Sequence, residues 1–551
     1  MTDQFPRKLI SAWGSPCLVF VALALIYGVG ASRPATFDEL YHVLAAQGWL
    51  EHGEPVIADG TYERARWFTW IVSQSFRLFG ESLTVARIPT ILPMALLGAL
   101  LFVWMRSIVG LSSAWITTVL YSLSPFAVEI AVFIRFYGLQ CLAFFIAATL
   151  LYRVIHGSDR WGWIGVQLLL AVAALGVASY FQITTLIGIL GLGFWFGAYI
   201  VIRWLNLGTI PHSWKISSII FLFFSILTVL IFAFISGLVS DFVTQYRITP
   251  YFNQERANEF WFYHYWIGLY YPSLWPLFPV LTLVAFAKHP KTVLFAAAVF
   301  GTALTIHSFA ASKSLRYMAY AMPFLFIIMG TGLAEIWLRL VMGLRSLDDG
   351  LRAQIPWAVG TSGKFLSRGL IALTLLFLCL ANTGSVRSAL FIAGITLPPE
   401  KPNEQWEQAA DILVPELQAV DLIITANETE TLYYLGDFDL IWGASRLSEL
   451  HGAQEFSFDP RTGRRIISTA ESLEELQACY PNGIFITSTR RWDDVHFAET
   501  EIPFREALLA TSEPIDLPPD SRIMAYSWTL SGTSTGFEDC QRMKTLLSEP
   551  L

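Results

Sequence analysis

The chain has 551 residues, of which 54% are hydrophobic, 15% aromatic and only 14% charged, with a mean hydropathy of +0.52. Soluble domains carry roughly 25% charged residues, so the composition excludes a wholly soluble protein and leaves an integral membrane one. The formal net charge of −7 hides an asymmetry: residues 396–551 hold 27 acidic and 11 basic residues, and the remainder is basic.

A spanning helix needs about 20 mostly apolar residues. In chain order the candidates are 13–31, 85–105, 112–129, 138–155, 161–178, 181–202, 216–238, 266–287, 292–310, 317–338 and 369–393. Breaks at Pro93, Pro125, Pro276 and Pro323 are tolerable where neighbouring helices satisfy the freed backbone groups. No clear small-residue cleavage site precedes "RPATFDE", so the first run is read as a retained helix. Lysine and arginine set the orientation. With Arg7 and Lys8 in the cytoplasm, Arg106, Arg153, Arg160, Arg203, Lys215, Lys288, Lys291 and the basic stretch 339–368 all fall inside. Eleven spans then put the acidic tail outside.

Two outside loops are long, 32–84 and 239–265, and both mix aromatic, acidic and basic residues, as in "GTYERARWFTW" and "YFNQERANEFWFYHYW". Such loops suit short helices lying in the membrane interface. The tail alternates helix-like and strand-like patterns: "EQWEQAADILVPELQAV", "DLIITA", "GRRIIST", "AESLEELQACY" and "GIFITST". That alternation predicts a layered α/β domain over 396–551 with a partly parallel sheet. Cys479 and Cys540 could pair if the tail lies in an oxidising compartment.

Ionisable residues at the membrane edge are candidates for function because desolvating them is costly. Asp38 and Glu39 follow the first span directly. They suit either a general base or a capped helix start. Arg135 and Tyr137, in "SPFAVEIAVFIRFYGLQCLAFF" with Glu129, interrupt an apolar region. Arg316 and Tyr317, in "ASKSLRYMAYAMP" with Lys313, lie at the end of a span. Glu63, Arg64 and Arg66 cluster in "GTYERARW". Arginines at headgroup level suit a phosphate. Acids and bases thus gather on one face, as an anionic lipid carrier and a hydroxyl or amine acceptor would require. No phosphate-binding loop and no dinucleotide glycine fingerprint is present. The Asp-x-Asp in "GDFDL" is read as chance in an acidic tail.

In the order of these motifs the chain resembles the GT-C membrane glycosyltransferases. The likeness is to the protein O-mannosyltransferases and their bacterial relative that adds aminoarabinose to lipid A. It covers about residues 13–340 and rests on "FDE" after the first span, "FGESLTVARIPTILPMALLGALLF", "SPFAVEIAVFIRFYGLQCLAFF" and "SLRYMAYAMPFLF". The resemblance implies a bundle of about eleven spans, residues 1–395, followed by an extracytoplasmic α/β domain. It implies inverting transfer of a sugar from a polyprenyl-phosphate donor to a lipid, glycan or protein acceptor in the bilayer, with no nucleic acid partner. Asp38 would be the catalytic base, with Glu39 beside it. Arg64, Arg135, Tyr137, Arg316 and Tyr317 would bind the donor phosphate. Glu63 and His264 would hold a divalent metal ion (Mg, Mn or Zn), although the Pro usual after the first-loop acid–base pair is absent from "ERAR". A flippase for a lipid-linked sugar and a non-catalytic envelope scaffold are the alternatives.

Overall fold

The computed structural model describes residues 4–157, 161–207, 240, 243, 258–354, 381–400, 402–450, 452–530 and 537–548. The chain divides into two compact units, one of residues 1–31 and 90–398, the other of residues 32–89 and 399–551. Three early helices are labelled here: α1 (Gln4–Val29), α2 (Phe37–His52) and α3 (Arg66–Phe79).

The first unit is a bundle of apolar helices. Seven are long and apolar enough to cross a membrane, and two bent pairs raise the number to nine among the described residues. All nine coincide with expected spans. The expected span 216–238, and 369–393 up to residue 380, lie outside the described residues; beyond that only the short helix Thr383–Ile392 is seen. Leu18, Leu25, Leu169 and Leu283 face outward, as lipid-facing side chains do.

The bends have identifiable causes. At the first, Leu111–Ser122 turns by 58° into Pro125–Val132. Ser124 caps the new helix, accepting from Ala127 N–H at 3.2 Å, and Pro125 occupies a first-turn position where no N–H is needed. At the second, Phe262–Tyr270 turns by 92° into Leu274–Lys288. Here Asn382 Oδ1 accepts from the Ser273 and Leu274 amides, each at 3.3 Å, and from Ser273 Oγ at 2.9 Å. A side chain from far along the chain thus satisfies the donors that the break exposes.

The second unit is built on a six-stranded sheet. A separate two-stranded hairpin, β1 (Val56–Ile57) and β2 (Gly60–Thr61), precedes it. The sheet contains β3 (Leu422–Thr425), β4 (Leu440–Trp442), β5 (Arg465–Ile467), β6 (Asn482–Ser488), β7 (Glu513–Pro514) and β8 (Ile523–Thr529), in the order β5-β4-β3-β6-β8-β7. The first four strands of that order are parallel; β8 runs antiparallel to β6, and β7 antiparallel to β8. Both faces are covered, which is why "LIIT" and "LIW" are continuous apolar runs. Side chains alternate across β6. Ile484 and Ile486 pack with Trp406 and Leu413 on one side, while Phe485 packs with Leu473, Phe504 and Leu508 on the other. A disulfide, Cys479–Cys540, joins the helices Ala470–Cys479 and Phe537–Ser548. The partly parallel α/β layer is therefore as expected.

Its membership is not. Residues 32–84, expected as an outer loop of the membrane bundle, fold with the tail. The hairpin interlocks with the turn 459–463: Asp59 N–H donates to Thr462 O and Thr61 N–H to Pro460 O, both at 3.0 Å. Backbones approach so closely that a Cβ on Gly60 would stand 2.5 Å from the Arg461 carbonyl carbon. Gly463 has φ +71° and an equally close neighbour in Asp59. Within this unit α3 presents Phe68, Val72 and Phe76 inward and leaves Trp67, Trp70 and Leu78 exposed. A helix that is apolar on its outer face as well suits a membrane interface.

Candidate active site

The two adjacent carboxylates take different environments. Thr36 precedes α2 in extended conformation, and Glu39 reaches back to accept from the Thr36 N–H (2.9 Å) and hydroxyl (3.0 Å), closing a capping box. The other Glu39 oxygen accepts from Arg87 Nη2 at 3.2 Å. Arg87 also donates from Nη1 to Arg33 O at 2.6 Å, so it ties the start of the loop to its end. Both members of this pair are almost completely buried. Glu39 thus holds the start of the helix through the Thr36 cap and Arg87. Asp38 is half-buried in the first turn of α2, where the helix N-terminus favours its charge.

One turn further along α2, Tyr41 enters a buried polar cluster that the sequence did not announce. Its hydroxyl lies 2.7 Å from Glu428 Oε1 and 2.6 Å from Arg446 Nη2. Arg446 Nη2 donates as well to Glu428 Oε1 (3.2 Å) and Asp459 Oδ2 (3.1 Å), and Nη1 to Glu449 (3.4 Å). Burial works against the Arg446 charge, but Tyr41, Glu428, Asp459 and Glu449 hold its pKa above the ordinary range. Burial also raises Asp459, with Arg446 opposing the rise. Close by, burial and then Glu404 push the Glu430 carboxyl up to about 8.

The cationic half of the expected site lies in the membrane unit. Arg135 is buried in the short link between Pro125–Val132 and Tyr137–His156, its guanidinium 5.4 Å from the Phe136 ring centre. Arg316 belongs to the 3₁₀ turn Leu315–Ala321 and lies over Phe133 (5.6 Å) and Tyr137 (5.9 Å), whose rings stack on one another. Gln182 Nε2 donates to the Tyr137 hydroxyl at 3.4 Å. Arg316 and Tyr137, chosen from stretches far apart in sequence, thus meet. Tyr317 is half-buried on the same turn, its N–H donating to Ser314 O at 3.1 Å. Lys313 is buried and donates to Ala310 O at 2.6 Å; burial lowers its pKa, with Glu259 opposing. Tyr263, a residue without a sequence signal, holds this turn through Ser314: its hydroxyl lies 3.2 Å from the carbonyl and 3.3 Å from the amide.

The expected metal ligands have other company. Glu63 pairs with Arg66 at 3.3 Å on the surface, and Arg64 is exposed beside it. His264 is packed among Trp261, Trp275 and Phe260. Among the described residues no group of three or more His, Cys, Asp or Glu side chains could hold a metal ion. Glu63 and His264 are thus engaged by an arginine and by aromatic rings respectively, and as placed they do not make a metal-binding group. The Asp-x-Asp residues are likewise engaged. Asp437 bonds Arg464 at 2.9 Å, and Asp439 Oδ2 accepts the Ile423 N–H at 2.7 Å.

The helix bundle with its broken spans and the C-terminal α/β layer have the GT-C type of fold. Among solved structures, ArnT from Cupriavidus metallidurans bound to undecaprenyl phosphate aligns with a TM-score of 0.59 at 16% identity, covering 93% of this chain and 97% of that one. The archaeal oligosaccharyltransferase AglB from Archaeoglobus fulgidus, in complex with an inhibitory peptide and a dolichol-phosphate, aligns with a TM-score of 0.50 at 12% identity, covering 95% and 75%. At these identities the likeness is one of fold. No protein-family model and no curated protein matches the chain.

Proposed function

We propose that the chain is an integral membrane glycosyltransferase that moves a sugar from a polyprenyl-phosphate donor to an acceptor hydroxyl or amine at the outer face of an inner (plasma) membrane. The observation that carries this reading is the match in fold, over almost the whole of both chains, to a protein bound to undecaprenyl phosphate. The arginines support it. Arg316 over Phe133 and Tyr137, with Arg135 on the adjoining link, offers the charge that a phosphate head requires.

The chemistry needs one base and a neutralised leaving group. Asp38 accepts the proton of the acceptor as its oxygen or nitrogen attacks the anomeric carbon. The bond from that carbon to the phosphate oxygen breaks through an oxocarbenium-like state, and its electron pair leaves on the phosphate. Arg135 and Arg316 stabilise the developing charge, so no separate acid is required. Attack opposite the leaving group inverts the anomeric centre. Glu39 and Arg87 position the helix start that carries Asp38. The Cys479–Cys540 disulfide suits an extracytoplasmic tail, in agreement with the basic loops assigned to the cytoplasm. The acceptor is a lipid, a glycan or a protein.

The test is transfer in lipid nanodiscs from synthetic polyprenyl-phosphate sugars to envelope extracts, read by mass spectrometry. Wild-type protein is expected to transfer and Asp38→Asn to be nearly inactive while inserting normally. Full transfer by Asp38→Asn would remove the proposed base.

A further inference from the structure

The sheet of the second unit has a point where its order reverses. From β3 the chain moves to β4 and then β5 on one side, and returns to β6 on the other. In open α/β sheets, ligands bind outside the carboxyl ends of the strands at such a point. Here the chain's own side chains fill it. Asn427, just past β3, accepts the Ser488 N–H at the end of β6 at 2.9 Å. Glu428, the next residue, and Arg446, just past β4, both turn to the Tyr41 hydroxyl. The Tyr41 ring is stacked on Tyr62 at 4.9 Å, and the Arg461 guanidinium lies 5.4 Å from its centre.

We propose that the α/β layer is a clamp on α2, with the Tyr41 phenol as its built-in ligand and Arg446 as a positioning residue for Asp38. This rests on the reading of Asp38 as the acceptor base. Asp38 and Tyr41 are three residues apart on one helix, so their side chains are neighbours on its surface. Fixing the Tyr41 hydroxyl fixes the helix rotation, and with it the direction of the Asp38 carboxylate. One further hold acts on the same turn: Thr429 Oγ1 donates to Phe37 O at 3.4 Å. The clamp thus grips α2 on either side of Asp38. It also explains why a tail without catalytic motifs keeps a buried arginine among three carboxylates, an arrangement whose desolvation is costly.

Tyr41→Phe tests this gently. It removes one hydroxyl and keeps the ring stack, and Arg446 remains paired with Glu428, Asp459 and Glu449. Misplacing a catalytic group by about 1 Å can cost on the order of 100-fold, so kcat should fall about 10- to 100-fold with the KM for the donor unchanged. In the Asp38→Asn background the same substitution should cost nothing more, because the hydroxyl acts through Asp38. Amide exchange over 35–45 should quicken while that of 470–479 stays the same. Arg446→Met should show the same pattern, more strongly.

If Tyr41→Phe keeps the wild-type kcat while Asp38→Asn is inactive, the clamp is overturned and the reading of Asp38 stands. An equal further loss in the Asp38→Asn background makes Tyr41 merely structural, and also overturns it. Full transfer by Asp38→Asn removes the reading of Asp38 and the clamp with it.

Discussion

Glu39 and Arg87 form a buried ion pair at 3.2 Å between the first turn of α2 and the end of the segment 32–89. Removing one member of such a pair strands the other charge in the interior, at a cost of about 3–5 kcal/mol. Arg87→Met should therefore lower the unfolding temperature in detergent by many degrees. Glu39→Gln, which keeps hydrogen-bonding capacity, should cost less. Thermal unfolding monitored by tryptophan fluorescence checks the order.

Asp38→Asn should leave that unfolding temperature within a degree or two, because the residue is half-buried at a helix start. Its transfer rate should fall by about 100- to 10,000-fold, the range of general base catalysis. Single-turnover kinetics with donor preloaded separates this loss from any change in donor binding.

Arg316 should behave in the opposite way. Hydrogen bonds to charged groups are worth about 1.5–3 kcal/mol, so Arg316→Ala should raise the donor KM by about 10- to 100-fold. Arg316→Lys should recover only part of the loss, since a lysine keeps the charge but not the planar fork that lies over Phe133 and Tyr137. Titration with polyprenyl phosphate is the direct measurement.

Glu430 gives a pH dependence. Its carboxyl titrates near 8 when folded, against an ordinary value of 4.5. The folded state therefore holds a proton that the unfolded state has released between those values. This contribution to stability is complete below about 4.5 and is lost as the pH rises toward 8. Glu430→Gln should flatten the profile and leave the variant more stable than wild type in relative terms above pH 8. Unfolding temperatures between pH 5 and 9 test it.

Reduction of Cys479–Cys540 should destabilise the α/β layer by about 2–4 kcal/mol. The Cys479→Ser/Cys540→Ser double variant should match the reduced wild type in chemical denaturation.

Much of the fold was legible in the sequence because lipid imposes length and apolarity on each helix. Nine expected spans were found among the described residues for that reason. The strands β3, β5 and β6 were legible as apolar runs bounded by polar residues, and the helix after β5 from its leucine spacing. β4 and β8 were not, since β4 is a short run straight after two aspartates and β8 mixes serine, tyrosine and threonine among its apolar residues. Arg135 and Arg316 stood out in the sequence because a charge there interrupts an apolar run, and the structure brings Arg316 over Tyr137. Tyr41, Tyr263 and Arg446 were hidden because a tyrosine in an aromatic-rich loop and an arginine in a charged tail carry no such contrast. The ion pair of Glu39 was hidden for a related reason: its partner Arg87 stands 48 positions away. His264 lies among the rings of Phe260, Trp261 and Trp275.

The interlock between the turn at 59–61 and that at 459–463 has a consequence for biogenesis. The hairpin leaves the ribosome early, and all of 90–398 must be made before its partner strand of backbone exists. Until then the Asp59 and Thr61 amides and the phenol of Tyr41 must be satisfied by water or by a folding helper. Nascent chains arrested before residue 459 should be cut by protease between 54 and 62, and completed chains should resist.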